Sequence, residues 1–261
     1  MLAALSFTLS LPFLWMVLTS FKPLREVGLD NWWPIDFQWS NYSRVFDLPS
    51  MQFGRWYWNS ILVSAWVTVL TVLTSAMAAF SFSRLEWPGR NRLFLMYLGT
   101  TMLPGLVMMI PSYQIMIQMG LVNSYLGLII PAAFSAFGTF MLRQFMLTIP
   151  RSLDEAAEID GASKWQVFWE VVMPLARPGM VTLGILTFMG TYQSFFWPLV
   201  MLKTTARYTL PIGLLFFDSE QGQETSLLMA AVTMAVVPML IVFVLLQKQL
   251  VKGIQLGGVK G

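Results

Sequence analysis

Apolar residues gather into six long runs, at positions 2–21, 60–82, 93–117, 126–145, 180–202 and 227–246, and none carries an ionisable residue away from its ends. A helix crosses a bilayer core with about 20 mostly apolar residues, so the pattern predicts six transmembrane helices. More polar sequence separates them at 22–58 and 150–178 and follows them at 247–261. The first run is expected to be a retained helix. No basic residue precedes it, and no small-x-small cleavage site stands ahead of Phe21-Lys22-Pro23.

The 150–178 segment has a second, shorter pattern. Ser152-Leu153-Asp154-Glu155 has the S-x-x-E form of a capping box, with acids where the helix dipole favours them, so a short helix is predicted from there. Asp160-Gly161 ends it, because glycine readily takes the left-handed conformation that stops a helix. Ser163-Lys164-Trp165-Gln166 repeats the box and opens a second helix, predicted to run to Pro174. Val167, Val171 and Leu175 fall on one face of it, with Phe168 and Val172 alongside. A helix as short and polar as the first is marginal alone in water. It needs support, either from a groove on another protein or from a lipid surface on which an amphipathic loop rests.

Composition agrees with a membrane protein: 56% of the 261 residues are hydrophobic and 11% charged, against about a quarter charged in soluble domains. Cysteine and histidine are both missing, which removes disulfides, thiol nucleophiles, Cys/His metal sites and the usual general base. The net charge of +3 comes from scattered basic residues without a dense basic and aromatic patch, so no nucleic-acid partner is expected. Ten of these residues (Arg84, Arg90, Arg92, Arg143, Arg151, Lys164, Arg177, Lys248, Lys252, Lys260) fall on one side of the predicted membrane. Six (Lys22, Arg25, Arg44, Arg55, Lys203, Arg207) fall on the other. That excess places both termini and the 150–178 segment in the cytoplasm and makes 22–58 an external loop. Trp32, Trp33, Trp39, Trp56 and Trp58, in or near that loop, suit the membrane interface.

Ion-driven carriers generally hold ionisable groups at mid-membrane, and the empty interior of the runs argues against that class. An intramembrane enzyme would need catalytic groups near the surface. The densest acidic cluster, Asp154, Glu155, Glu158 and Asp160, is accounted for by helix capping. Pro104-Gly105, Pro111, Pro131, Pro198 and Pro238 interrupt the apolar runs, as plain kinks or as breaks along a watery route. In the fifth run Gly184, Thr187, Thr191, Ser194 and Pro198 recur at helical spacing, with Tyr192 and Gln193 beside them. Such a stripe either lines a path for a polar, uncharged solute or bonds to a neighbouring helix.

Glu155-Ala156-Ala157, Asp160-Gly161-Ala162, Phe168 and Pro174-Leu175-Ala176-Arg177-Pro178 match, in residue type and spacing, the "EAA" loop of permease subunits of binding-protein-dependent ABC importers. Met141-Leu142-Arg143-Gln144-Phe145, Phe196-Trp197-Pro198-Leu199, Thr209-Leu210-Pro211-Ile212-Gly213-Leu214 and the tail from Gly253 to Gly261 resemble the carbohydrate-uptake branch, which includes the smaller permease subunit of the maltose importer. The resemblance covers nearly the whole chain. Two departures stand out: Tyr192-Gln193 where relatives commonly have Trp-Asn, and Gly257-Gly258 where they have Gly-Ala.

The resemblance implies an all-α polytopic membrane protein, one permease domain over 1–261, with six transmembrane helices and a cytoplasmic coupling helix between spans four and five. Glu155, Ala156, Ala157, Asp160, Gly161 and Ala162 would dock on a cytoplasmic ATPase subunit, with Phe168 and Pro174 fixing the angle to the fifth span. Thr187, Thr191, Tyr192, Gln193, Ser194 and Trp197 would line the solute pathway, since hydroxyl, amide and aromatic groups suit sugars. The implied solute is a saccharide or related polyol, with glycerol phosphate-type solutes as the alternative. The implied partners are a second homologous permease, two ATPase subunits, an extracytoplasmic solute-binding protein and membrane lipid, in the inner membrane of a bacterium or archaeon. The chain has no G-x-x-x-x-G-K-[ST] loop, so ATP and magnesium would be used by the ATPase subunits and no cofactor is expected on this chain.

Overall fold

The structure is a computed structural model and describes residues 2–29, 31–48, 51–221 and 224–258, which are helical or loop throughout. The helices are α1 (Leu2–Ser20), α2 (Ser40–Asp47), α3 (Phe53–Arg84), α4 (Arg90–Gly99), α5 (Gly105–Gln118) and α6 (Leu126–Ala132). They continue with α7 (Ala136–Leu147), α8 (Ser152–Ile159), α9 (Lys164–Tyr192), α10 (Phe196–Met201), α11 (Leu210–Gln221) and α12 (Thr225–Gly258). Among the described residues, α3, α9 and α12 are long and apolar enough to cross a membrane, and α1 is a shorter apolar helix. Two bent pairs qualify jointly: the segment through Met102 with α5, bent by 102°, and α6 with α7, bent by 43°.

Each bend has an identifiable setting. Leu103 is extended, as a residue before proline prefers, and Pro104, extended too, precedes the first residue of α5. Where α6 gives way to α7, the carbonyls of Ala132 and Ala133 accept from the Thr71 and Thr74 hydroxyls of α3, at 2.9 and 2.5 Å. Freed carbonyls in an apolar medium require such partners.

The chain forms two compact units, one of Met1–Ile61 with Ser194–Ile241 and the other of Leu62–Gln193 with Val242–Gly261. In the first, the opening turns of α3 fasten the loop ahead of α11. Trp56 Nε1 donates to the Thr205 carbonyl (2.8 Å), Asn59 Nδ2 donates to the carbonyls of Ala206 (3.1 Å) and Tyr208 (2.9 Å), and Ser60 Oγ accepts from the Leu210 N–H (2.7 Å). Trp56 is therefore core, 1% exposed, and leaves the interface group to which sequence assigned it. It shares a helical face with Asn59 and Ser60, and that face is turned inward. Its indole lies so close to Gly213 that an added Cβ there would overlap the ring. Trp32, Trp33, Trp39 and Trp58 stay exposed.

The core of the second unit joins α3, α7 and α9 through Phe80, Leu142, Met146, Phe168, Val172 and Leu183. Pro174 does not end the helix that begins at Lys164, contrary to expectation. The backbone passes through a π-helical stretch at Val167–Val172, where the Met173 N–H reaches back to Phe168, and continues to Tyr192. This wider turn sits directly before a proline that has no N–H to give. The fifth apolar run, read as one helix, stops at Tyr192 and restarts at Phe196. A continuous helix would push the Pro198 ring against the carbonyl of Ser194, four residues earlier. The last helix has a helical backbone to Gly258, while Val259 to Gly261 and the side chains of Lys248, Lys252 and Lys260 lie outside the described residues.

Candidate functional site

The conspicuous site in the second unit is α8 with the turn that follows it. The helix ends in a full Schellman arrangement: the Gly161 N–H donates to the Glu158 carbonyl (3.0 Å) and the Ala162 N–H to the Ala157 carbonyl (2.9 Å), with Gly161 at φ +90°. Ser163 then opens α9 with the expected reciprocal box, its hydroxyl accepting from the Gln166 N–H and the Gln166 side chain accepting from the Ser163 N–H (2.9 Å). The box expected at Ser152 does not form. Arg151 occupies the cap position without a side-chain cap bond, and the N–H groups of Leu153 and Asp154 turn to the carbonyls of Pro150 and Arg151. The helix thus begins a residue early, and Asp154 in its first turn has another role.

That role is burial. The Arg84 side chain, 4% exposed at the end of α3, lies 3.2 Å from Asp154 Oδ2, and its other terminal nitrogen donates to the carbonyls of Met146 (2.8 Å) and Ile149 (2.9 Å). Burial pushes the Asp154 carboxyl up from the ordinary carboxylate range. The Arg84 guanidinium pulls it part of the way back, Glu158 adds to the rise, and Arg151 and Lys164 oppose it. Ala157 and Ala162 pack on the core, where the rings of Phe80 and Phe168 meet at 5.1 Å. The small alanine side chains let α8 lie close against the π-turn of α9.

The opposite side of α8 is uncovered among the described residues. Glu155, Ala156, Asp160 and Gly161 are exposed, as are Leu153 and Ile159, the last at 86%. Sequence reading missed these two apolar residues and both members of the Arg84–Asp154 pair. Leu153 and Ile159 were detectable as the only large apolar side chains in a polar helix, whereas the pair joins positions 70 residues apart (154 − 84) and had no local signal. Of the remaining predicted positions, Phe168 is buried and Pro174 exposed.

The predicted pathway residues are divided between the two units. Thr187 and Thr191 are half-buried on α9, Tyr192 is buried and stacked on Phe188 at 5.8 Å, and Gln193 is exposed just past the helix end. Ser194 and Trp197, both half-buried, belong to the other unit. Because the helix stops at Tyr192, the stripe ends at Thr191 and Ser194 leaves its face. At its opposite end Gly184 sits against Thr68 of α3, where the stripe is a helix-packing surface. Among the described residues, no group of three or more His, Cys, Asp or Glu side chains is placed to hold a metal ion.

Residues 71–256 match the family described as the binding-protein-dependent transport system inner membrane component. The chain is 32% identical to the arabinooligosaccharides transport system permease protein AraQ of Halalkalibacterium halodurans, over 99% of this chain and 94% of that protein. It is 30% identical to the trehalose/maltose transport system permease protein MalG of Thermococcus litoralis, over 96% and 91%. Its fold matches a solved chain of a bacterial ABC transporter involved in the import of the acidic polysaccharide alginate, with a TM-score of 0.84 at 24% identity over 95% and 92%. With that family match spanning the Arg84–Asp154 pair, the α8 turn and the π-turn of α9, the chain belongs to the inner-membrane permease components of binding-protein-dependent ABC transport systems.

Proposed function

We propose that this permease subunit passes a saccharide or related polyol into the cytoplasm and that α8 is its coupling helix, seated in a groove of a cytoplasmic ATPase subunit. The observation that carries the docking reading is the asymmetry of α8. One side is fastened by Asp154 and Ala157, and the other presents Leu153, Glu155, Ala156, Ile159 and Asp160 uncovered. A helix of eight residues is not stable alone in water, and its open side offers apolar surface for a groove and acids for basic groups. Glu155, Ala156, Ala157, Asp160, Gly161 and Ala162 form the docking element, and Phe168 and Pro174 set its angle to α9. The saccharide reading is supported by the names of the relatives, which transport arabinooligosaccharides and trehalose/maltose.

In this reading α1, α3, α4 with α5, α6 with α7, α9 with α10, and α12 are six spans with both termini in the cytoplasm, in keeping with the distribution of Lys and Arg. A second permease completes the pathway, two ATPase subunits use ATP and magnesium below it, and a solute-binding protein delivers solute from outside. Closure of the ATPases would move α8 as a lever and switch the cavity between its two openings. Thr187, Thr191, Tyr192, Gln193, Ser194 and Trp197 are the proposed solute contacts.

Two measurements test this. Gly161→Leu, which forces a side chain into the left-handed region, is expected to leave membrane insertion intact and to weaken co-purification with the ATPase subunits; unchanged co-purification and uptake would rule out docking through α8. In the reconstituted complex, a panel of saccharides and glycerol phosphodiesters presented with the cognate binding protein is expected to show ATP hydrolysis stimulated by a saccharide. Stimulation by the phosphodiesters alone would replace that solute class.

A further inference from the structure

Four arginines converge where α3 ends. Its last carbonyls and the one just after them, where the helix dipole favours cations, take guanidinium groups from three other elements. Arg143 Nε of α7 donates to Phe82 (3.1 Å), Arg151 at the start of α8 to Ser83 (3.1 Å), and Arg90 of α4 to Leu85 (2.8 Å). Arg84 points the opposite way, out of α3 and into the α7–α8 junction. There it holds the carbonyls of Met146 and Ile149 and the Asp154 carboxylate together. Arg151 adds an exposed pair with Glu86 (3.4 Å). These contacts all lie within the second unit.

The arrangement is costlier than a docking surface alone requires. An exposed ion pair would stabilise α8 little, and apolar packing would hold it without desolvating a charge. What a buried multidentate guanidinium adds is direction: its planar fork, engaged here through both terminal nitrogens, meets its acceptors in one relative placement. It fixes the end of α7, the start of α8 and the end of α3 in one geometry.

We propose that Arg84 is the positioning residue of α8, tying it to α3 and α7 so that force applied to the exposed side of α8 turns all three as one body. This rests on the reading of α8 as the docking helix. Arg84 touches neither solute nor ATPase in this assignment. It sets how much of a displacement at α8 reaches the membrane helices, so its loss should uncouple the complex without dismantling it.

The test uses the full complex of both permeases, both ATPases and the binding protein. Arg84→Met is expected to assemble with the ATPases at normal yield and to retain basal ATP hydrolysis. Stimulation by loaded binding protein should be lost, and solute transported per ATP should fall about tenfold, within the usual range of coupling between sites. Arg84→Lys, which keeps a cation and several donors, is expected to restore part of the coupling, a rescue that mere packing would not give. Since the chain has no cysteine, spin labels at Pro88→Cys, in the turn after α3, and Ser152→Cys, with cysteine-free partner subunits, report the separation between that turn and α8. A single narrow distance, the same with and without ATP, is expected for wild type, and a broadened one for Arg84→Met. If Arg84→Met does not insert, Arg84→Lys and Asp154→Asn carry the same distance measurement, with intermediate broadening expected. Normal transport per ATP, or an unbroadened distance in these variants, overturns the proposal. Normal ATPase association of Gly161→Leu would overturn the docking reading while leaving the distance result to stand.

Discussion

Asp154 has exchanged water for one guanidinium and a place beneath a helix, and the exchange fixes how the site responds to pH. Because burial raises its folded pKa above the value in the unfolded chain, the folded state takes up a proton more readily than the unfolded one. Stability contributed at this position therefore rises as pH falls toward the ordinary carboxylate range near about 4. Thermal unfolding in detergent between neutral and mildly acid pH is expected to show no loss that Asp154→Asn removes; such a loss would mean the pair acts in the opposite sense. Asp154→Ala differs from Asp154→Asn, since it strands a buried guanidinium, and is expected to cost about 3 kcal/mol. Ser152 and Ser163 provide a second contrast. The same box is written at both, yet only Ser163 forms it, so Ser163→Ala should cost about 1 kcal/mol and Ser152→Ala almost nothing in the same unfolding assay. Sequence could not separate the two, because at Ser152 the backbone enters the helix a residue early and the N–H groups of Leu153 and Asp154 turn to the carbonyls of Pro150 and Arg151.

At the scale of elements, apolar periodicity located the helices and mistook where they stop. Pro174 was legible as a terminator by local rules, but the π-turn before it lets α9 run on. Pro198 was legible as one kink among several, but it coincides with a true break at residues 193–195. The causes are finer than helical periodicity: a core around Phe168 that accommodates a wider turn, and the clash a continuous helix would force between the Pro198 ring and the Ser194 carbonyl. Phe168→Ala is accordingly expected to destabilise the protein by about 3–5 kcal/mol in the same unfolding assay. It should also release α8, read as new protease sensitivity between Ser152 and Gln166. Persistence of a protected α8 would show that Arg84 alone is enough to hold it. Trp56 was misassigned for a similar reason. Tryptophan suits an interface, and only the course of the Thr205–Leu210 loop reveals that this one is a lock on the backbone.

For the molecule as a whole, the turn after α8 was legible at Gly161 and Ser163, because its chemistry is contained in one short contiguous motif. The six positions proposed as solute contacts were not legible as one face, because they straddle a helix break and the division into two units. Gln193→Leu addresses this directly. It is expected to change the ranking of solutes that stimulate ATP hydrolysis while basal hydrolysis stays the same, and an unaltered ranking would remove Gln193 from the path. The arginine junction also bears on how such permeases exchange parts. A chimera that transplants residues 150–178 alone would bring Asp154 and Arg151 to a foreign α3, and would leave behind the guanidinium and carbonyls that receive them. The smallest transferable cassette therefore includes the last turn of α3 and the end of α7. Compatible lineages should be those that inherited these three stretches together, however freely their solutes diverged.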